Sequence, residues 1–279
     1  MGSLAKRIGQ LFASESSSIL RTIRSNKIPH SLSQRLDTTL KDSHDMKVFG
    51  LGTLSSMSSR ERYARFTHSM YGIYSAMEQE LDLSTSSNNP SASVQHFWSR
   101  HENILRRSEK LEQDLIDVGF DIESAEHSPA TLVYIHALQV AGENDRKCGG
   151  GLLLGHAYTR YLADLMGGSV LATPTRLALG LKNGSPQQYS FDFDGEELEL
   201  DRKGYVELIY QDLNASGDIL INEGTNGDNL VDESESALEE IVDEARCAFR
   251  YNVEVYSEEP IWLDSIVGLK NIVSGWVLR

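Results

Sequence analysis

The 279-residue sequence lacks most features that identify the common disulfide-rich, membrane and hydrolase classes. Its two cysteines, Cys148 and Cys247, stand far apart and outside any CxxC pair, so a disulfide framework is excluded and each is expected to be a buried thiol in a reducing compartment. No run of 18 apolar residues occurs, which predicts no transmembrane span. Neither a G-x-S-x-G elbow nor a phosphate-binding P-loop is present, so two common catalytic motifs are missing.

Positive charge is also scarce, with 26 Lys and Arg against 41 Asp and Glu and a net charge of −15. Nucleic acid is therefore not an expected partner, because no basic stripe exists to neutralise phosphates. The acidity is concentrated, since residues 191–244 carry 18 acids and two bases.

Residues 1–31, in contrast, form a basic N-terminal extension that is rich in Ser and Arg and contains one acid, Glu15. This composition is typical of a transit peptide and would place the protein in an organelle, a mitochondrion or a plastid. A solvated tail has the same composition, in which case the protein is expected in the cytoplasm.

Helical periodicity dominates the remaining sequence. Leu32, Leu36, Leu40 and His44 recur every four residues and share one helical face. Similar spacing predicts further helices over 60–83, 97–118, 129–140, 152–181, 204–213 and 237–258. We predict one all-α domain over residues 32–258, with at most one short hairpin around Asp194–Gly195. The tail over 259–279 is expected to pack on this domain, and a weak interfacial anchor is the less favoured alternative. The protein is expected to be a monomer.

The segment His156–Ala172 contains two adjacent glycines, Gly167 and Gly168, inside a helical pattern. Each glycine costs roughly 1 kcal/mol relative to alanine in a helix, so this pair indicates a kink or a close approach of the backbone. Arg160 and Asp164 precede the pair on the same face. The approach could be to a flat ligand or to another helix, and spacing alone favours the helix crossing.

His44 ends the apolar stripe of the first predicted helix. A neutral imidazole that faces an interior can bind a metal through one nitrogen. A hydrogen-bonded core histidine is the commoner case, and the other seven histidines show no metal-ligand spacing.

The run HAYTRYLADLMGG, residues 156–168, resembles the signature helix of the heme oxygenases. The resemblance continues in the same order through LKDSHDM around His44, YGIYSAMEQEL at 71–81, LEQDL at 111–115, YSFDF at 189–193 and DEARCAFRYNVEVYSE at 243–258. The sequence is therefore identified as a member of this family, and the resemblance implies a multi-helical domain with a glycine-kinked distal helix.

The resemblance implies a function and a set of site residues. Heme, both substrate and cofactor, would be cleaved with O2 and an external reductant to biliverdin, carbon monoxide and ferrous iron. His44 would ligate the iron, and Gly167 and Gly168 would lie against the ring. Asp164 would organise the water network that supplies protons. The remaining implied site residues are Tyr158 and Arg160 beside that network, Lys41 at a propionate, and Phe249 and Asn252 on the closing helix.

Several residues depart from the family pattern. Asp37, Glu207 and Gln211 stand where other members carry bases for the heme propionates, and an acid there would repel a propionate. Lys47 and Val48 replace an Ala-Glu pair after His44, while Ala163 and Met166 replace a Gly and a Ser. These changes favour an alternative hypothesis, a degenerate member that binds heme or acts as a protein scaffold without turnover.

The resemblance also implies an electron donor, either ferredoxin or an NADPH-dependent reductase. Because ferredoxin is itself acidic, the acidic stretch over 191–244 would have to point away from the docking face, or the donor would have to be another protein.

Overall fold

The structure, a computed structural model, describes residues 28, 30–43, 46–193, 201–223, 230–259 and 261–277. Within these ranges the structure describes only the backbone at residues 40–43, 46–47, 169, 223 and 230–234. The α-helices are α1 Leu32–Ser43, α2 Met46–Ser56, α3 Arg60–Ser86, α4 Ala92–Leu105, α5 Ser108–Asp117, α6 Pro129–Cys148, α7 Leu152–Ala157, α8 Ser169–Leu179, α9 Arg202–Glu223, α10 Leu230–Ser257 and α11 Trp262–Val277. The described ranges contain no strand, so the predicted all-α class is confirmed. The centre of the predicted hairpin, Asp194–Gly195, lies outside the described residues.

Helix α3 runs through the middle of the fold and packs against α4, α5 and α6. Ser59 begins it as N-cap by accepting a hydrogen bond from the backbone N–H of Arg62 at 3.0 Å. Its buried face, which includes Ile73, Met77 and Leu81, belongs to one hydrophobic core shared with α7, α9 and α10. The core therefore places α3 beside the signature segment.

The prediction of a single helix over 97–118 was wrong. The chain breaks between α4 and α5 at Arg106 and Arg107. Glu78 on α3 accepts hydrogen bonds from the backbone N–H groups of Arg107 at 2.6 Å and Ser108 at 3.2 Å. The carboxylate satisfies donors that a new helix start leaves free, so a residue distant in sequence decides the boundary.

The signature segment departs from a regular α-helix. Residues Tyr158–Leu162 and Asp164–Gly168 form π-helical turns between α7 and α8. The close helix crossing that glycine spacing favoured occurs earlier, at Gly155, where a Cβ would lie 2.7 Å from the carbonyl oxygen of Ile241 on α10. π-helical turns are rare overall but frequent at functional sites, so the distortion indicates that residues 158–168 belong to such a site.

The chain after residue 260 forms α11, which packs across α2 and α8. None of the helices in the described ranges combines the length and the apolar character needed to cross a bilayer. The expectation of two buried thiols was wrong for Cys148, which is exposed at the C-terminal end of α6, and Cys247 is partly exposed.

Candidate active site

Asp164 begins the second π-helical turn and lies next to α3. Its carboxylate accepts a hydrogen bond from the hydroxyl of Tyr74, a residue buried in the core. Burial raises the pKa of Asp164, whereas the charge of Arg160 and the Tyr74 hydrogen bond lower it. The net effect is a raised pKa, and a carboxyl group under these opposed influences is suited to holding and releasing a proton.

Arg160 is fixed on three sides. Its Nη1 donates to Oδ1 of Asn252 at 2.6 Å, and its Nη2 approaches the sulfur of Met70 at 3.1 Å. The guanidinium lies 4.8 Å from the ring centroid of Tyr74, which places a cation over the aromatic face. Asn252 is itself anchored, because its Nδ2 donates to the carbonyl of Ala248 at 3.0 Å. The structure thus brings Arg160, Asp164 and Asn252 into one network.

A second cation, Arg107, acts on the same carboxylate. Its side chain is 1% exposed and donates to backbone carbonyls of Leu105 at 2.9 Å and Ser190 at 2.6 Å. Its positive charge lowers the pKa of Asp164. Arg107 was not among the predicted site residues, because an arginine just before a helix is usually at the surface. Its burial depends on the turn that Glu78 fixes from α3.

Two tyrosines complete the surroundings of Asp164. The ring of Tyr256 lies on α2, where a Cβ at Gly52 would be 2.5 Å from its Cδ1, and it contacts Phe66 edge-on at 5.0 Å. Arg160 lowers the pKa of Tyr256, although burial raises it. Tyr189 lies against Gly168, and burial raises its pKa too. Sequence reasoning also missed Tyr74, Tyr189 and Tyr256; a buried tyrosine needs a hydrogen-bond partner, but the partner is not visible in sequence.

One side of the kinked segment borders open space. A Cβ at Gly167 would meet no atom within 4 Å, and the neighbouring Ala163 is exposed. Gly168 is buried, with its Cβ position 3.1 Å from Cδ1 of Tyr189. Met166 packs against the core and does not fill the space at Gly167. This surface of backbone without side chains could accept a flat ring.

The expected propionate side is built differently from the family pattern. Asp37 accepts hydrogen bonds at 2.8 Å from the hydroxyls of both Tyr158 and Tyr210. The Tyr158 hydroxyl therefore bonds to Asp37 and takes no part in the contacts of Tyr74 with Asp164 and Arg160. Glu207 is paired with Lys203 at 3.9 Å on the surface, and Gln211 is exposed.

The residues expected on the iron-ligand side of the heme are His44 and its neighbours. His44 lies outside the described residues, as do the side chains of Lys41 and Lys47. Phe249 is buried in the core on α10, one turn before Asn252. Among the described residues, no cluster of three or more His, Cys, Asp or Glu side chains could hold a bare metal ion.

Comparisons with known proteins agree with this architecture. The family model described as heme oxygenase matches residues 30–215. The heme oxygenase of Pyropia yezoensis is 27% identical over 234 residues, which cover 82% of this chain and 86% of that protein. Heme oxygenase 1 of Synechocystis sp. is 30% identical over 235 residues, covering 82% and 84%.

Solved structures give the same result. A crystal structure of heme oxygenase 2 from Chlamydomonas reinhardtii without heme superposes with a TM-score of 0.67 at 20% identity, covering 83% of this chain and 99% of that one. Heme oxygenase-2 from Synechocystis sp., in complex with heme and NO, gives 0.62 at 26% identity over 81% and 84%. The resemblance inferred from the signature segment is confirmed, and the chain belongs to the heme oxygenase family.

Proposed function

We propose that this protein is an active heme oxygenase, which cleaves heme to biliverdin, carbon monoxide and ferrous iron with O2 and an external reductant. The observation that carries the proposal is the position of Asp164. This carboxylate accepts a hydrogen bond from Tyr74, whose ring also contacts Arg160, and it stands one turn from Gly167, where the backbone borders open space. A proton-handling group beside a site for a flat ring is what the reaction requires.

The ring is assigned to the open surface at Gly167. Gly168 is proposed as a second contact by resemblance, since its Cβ position lies against Tyr189. His44 is proposed as the iron ligand by resemblance, since it follows α1 at the end of the apolar stripe. When bound, heme supplies both the iron that activates dioxygen and the carbon that is oxidised. Lys41 is proposed to pair with a propionate, and Phe249 to support the closing helix α10.

The protein contributes proton delivery and positioning. Tyr74 donates its hydrogen bond to Asp164 and thereby holds the carboxylate toward α3. Arg160 stabilises the ionised carboxylate, while burial favours the protonated form, so Asp164 can take up a proton and pass it to the site. Asn252 keeps Arg160 in place. Tyr256, between α2 and Arg160, shields this network on the α2 side.

The alternative function, heme binding or scaffolding without turnover, is favoured by one observation. Asp37 stands where the family has a base, is fixed by hydrogen bonds from Tyr158 and Tyr210, and offers no donor to a propionate. Loss of propionate contacts weakens heme binding but leaves the Asp164 network intact. We therefore retain the enzyme as the main proposal.

Partner and location follow as further parts of the proposal. The reaction consumes electrons, so a ferredoxin or an NADPH-dependent reductase is proposed as donor, docking away from the acidic stretch over 191–244. We propose a monomer, to be tested by light scattering coupled to gel filtration. The basic extension over 1–31 is proposed as an organelle-targeting segment, to be tested by fusing it to a fluorescent protein.

The test is a hemin titration of the full-length protein, followed at the Soret band, and then addition of ascorbate or a reductase. A saturable histidine-type spectrum that bleaches toward biliverdin supports the enzyme. A stable spectrum under reductant supports the heme binder, and no saturable change leaves only the scaffold. His44→Ala should abolish the normal spectrum while the helical circular dichroism is unchanged; an unaltered spectrum would remove His44 as the ligand.

A further inference from the structure

The last helix, α11, presents an unusual surface. Seven of its large apolar side chains are between 40% and 75% exposed. We call this set the outer face of α11: Trp262, Leu263, Ile266, Val267, Leu269, Trp276 and Val277. The helix has two charged residues, of which Asp264 is paired with Arg62 at 3.4 Å and Lys270 is exposed. A single exposed charge beside seven exposed apolar residues is uncommon for a surface in contact with water.

The opposite side of α11 is locked onto the domain. A Cβ at Gly268 would lie 1.8 Å from the carbonyl oxygen of Leu54 on α2, and a Cβ at Gly275 would lie 2.5 Å from the carbonyl oxygen of Leu177 on α8. Asn271, between the two glycines, donates to the carbonyl of Met57 at 3.1 Å. Only the side of α11 that carries these two glycines can lie so close to the backbones of α2 and α8. The helix therefore cannot rotate to bury its outer face.

From these two observations we propose that the outer face of α11 docks on the surface of a lipid bilayer, with the helix lying in the plane of the membrane. Trp262 and Trp276 stand at the two ends of the helix, about 21 Å apart at 1.5 Å per residue. Indole side chains prefer the interface between lipid and water. Helices with an apolar face and a fixed polar or packed side bind this region without spanning it.

A second copy of the chain fits the outer face less well. A 16-residue helix presents a strip of about 24 Å by 10 Å, so two such strips would bury about 500 Å2 in total, which is well below the roughly 1,200 Å2 of a stable interface. Each copy would also bring a net charge of −15. A bilayer of zwitterionic lipid needs no matching partner surface and meets little charge repulsion at this face.

The experiment uses the full-length protein and vesicles of phosphatidylcholine. Zwitterionic lipid is chosen because the basic extension over 1–31 would bind anionic lipid by charge alone. Flotation measures binding, and tryptophan emission reports on α11, since Trp98 is buried and Trp262 and Trp276 are the other two tryptophans. We expect the protein to float with the vesicles and its emission to shift to shorter wavelength.

Two variants with matched controls decide the assignment. Ile266→Glu and the milder pair Leu263→Ser with Ile266→Ser should abolish flotation and the emission shift. Leu132→Glu changes an apolar residue of similar exposure, 53% against 62%, on α6 and should float like the wild type. Circular dichroism checks that each variant is helical.

Failure of the wild-type protein to float overturns the proposal, as does flotation of the Ile266→Glu variant at the wild-type level. Sedimentation could also reveal a dimer that Ile266→Glu disrupts, without vesicle binding by the wild type. That result would assign the face to a second copy and would equally overturn the lipid proposal.

Discussion

The hydroxyl of Tyr158 donates a hydrogen bond to Asp37 at 2.8 Å across the contact between the signature segment and α1. Tyr210 donates to the same carboxylate oxygen at the same distance. An acid at position 37 therefore has a structural role, as the shared acceptor of two tyrosines that are each 1% exposed. The family pattern of a base at this position is replaced by an internal contact that ties α1 to the signature segment and to α9.

Replacing Asp37 with Ala tests this role. Both buried hydroxyls would lose an acceptor, and an unsatisfied buried polar group costs about 1–3 kcal/mol. We expect the free energy of unfolding to fall by about that amount in urea at pH 7. Gln211→Ala, at the exposed neighbour of Tyr210, should change it by less than about 0.5 kcal/mol. Equal stability of Asp37→Ala and the wild type would show that the tyrosine contacts are dispensable.

Gly167 offers a test in which stability and binding change in opposite directions. A Cβ there meets no atom, so Gly167→Ala should gain up to about 1 kcal/mol of helix propensity. The same methyl group would occupy the space proposed for the ring. We expect a higher urea midpoint together with weaker hemin binding, and for Gly167→Leu a loss of affinity of about tenfold or more, or 1.4 kcal/mol.

Gly155→Ala is the contrasting variant for that test. Its added Cβ would lie 2.7 Å from the carbonyl oxygen of Ile241 and 2.9 Å from the amide of Ala245, both backbone atoms of α10. This variant should lose stability by about 1–3 kcal/mol, as overpacked positions do. Unaltered hemin affinity in Gly167→Leu would mean that the ring does not lie at this glycine.

Local pattern predicted much of the fold, because the helices bury apolar faces at regular spacing. Pro129 opens α6 at its first turn, with Ser128 as N-cap, as its sequence indicates. The break at Arg107 was missed because the group that causes it, Glu78, lies on another helix. The extent of α11 was missed because Gly268 and Gly275, which weaken a helix pattern, are there for close packing.

The residues of the candidate site likewise fall into those that the sequence predicted and those that it did not. Arg160, Asp164 and Asn252 could be named because they belong to two runs that resemble the family. Tyr74 acts on Asp164 from α3, and Arg107 acts on it from the break between α4 and α5. Asp37 faces Tyr158 and not an open site. Such roles depend on which side chains the fold brings together, and no periodicity within one segment reports them.

Asp164→Asn should separate binding from turnover. The amide keeps the size of the side chain but cannot carry a proton, and loss of a positioned proton donor typically lowers a rate by about 100- to 10,000-fold. We expect a normal Soret titration and a rate of biliverdin formation lowered by at least about 100-fold. Tyr74→Phe, which removes the donor to the carboxylate, should fall between Asp164→Asn and the wild type. Glu109→Gln, at an exposed acid on α5, should react at the wild-type rate. Normal turnover by Asp164→Asn would refute the assigned role.

The pH dependence of stability should carry the signature of Asp114, which is 1% exposed. Burial raises its pKa to about 6 although it accepts hydrogen bonds from the backbone N–H groups of Gln187 and Gln188. Between pH 3.8 and 6 the folded protein therefore binds a proton that the unfolded chain has released, so stability falls as pH rises through this window and is level above it. Between pH 4 and 6 the wild type should lose about 2 kcal/mol of stability relative to Asp114→Asn, a difference measured by urea titration at each pH. Asp121 is the contrasting case, because hydrogen bonds with Ser124 lower its pKa. The wild type should therefore gain stability relative to Asp121→Asn as the pH rises through the acid range. A parallel pair of curves for the wild type and Asp114→Asn would mean that the Asp114 carboxyl ionises in the folded protein as it does in the unfolded chain.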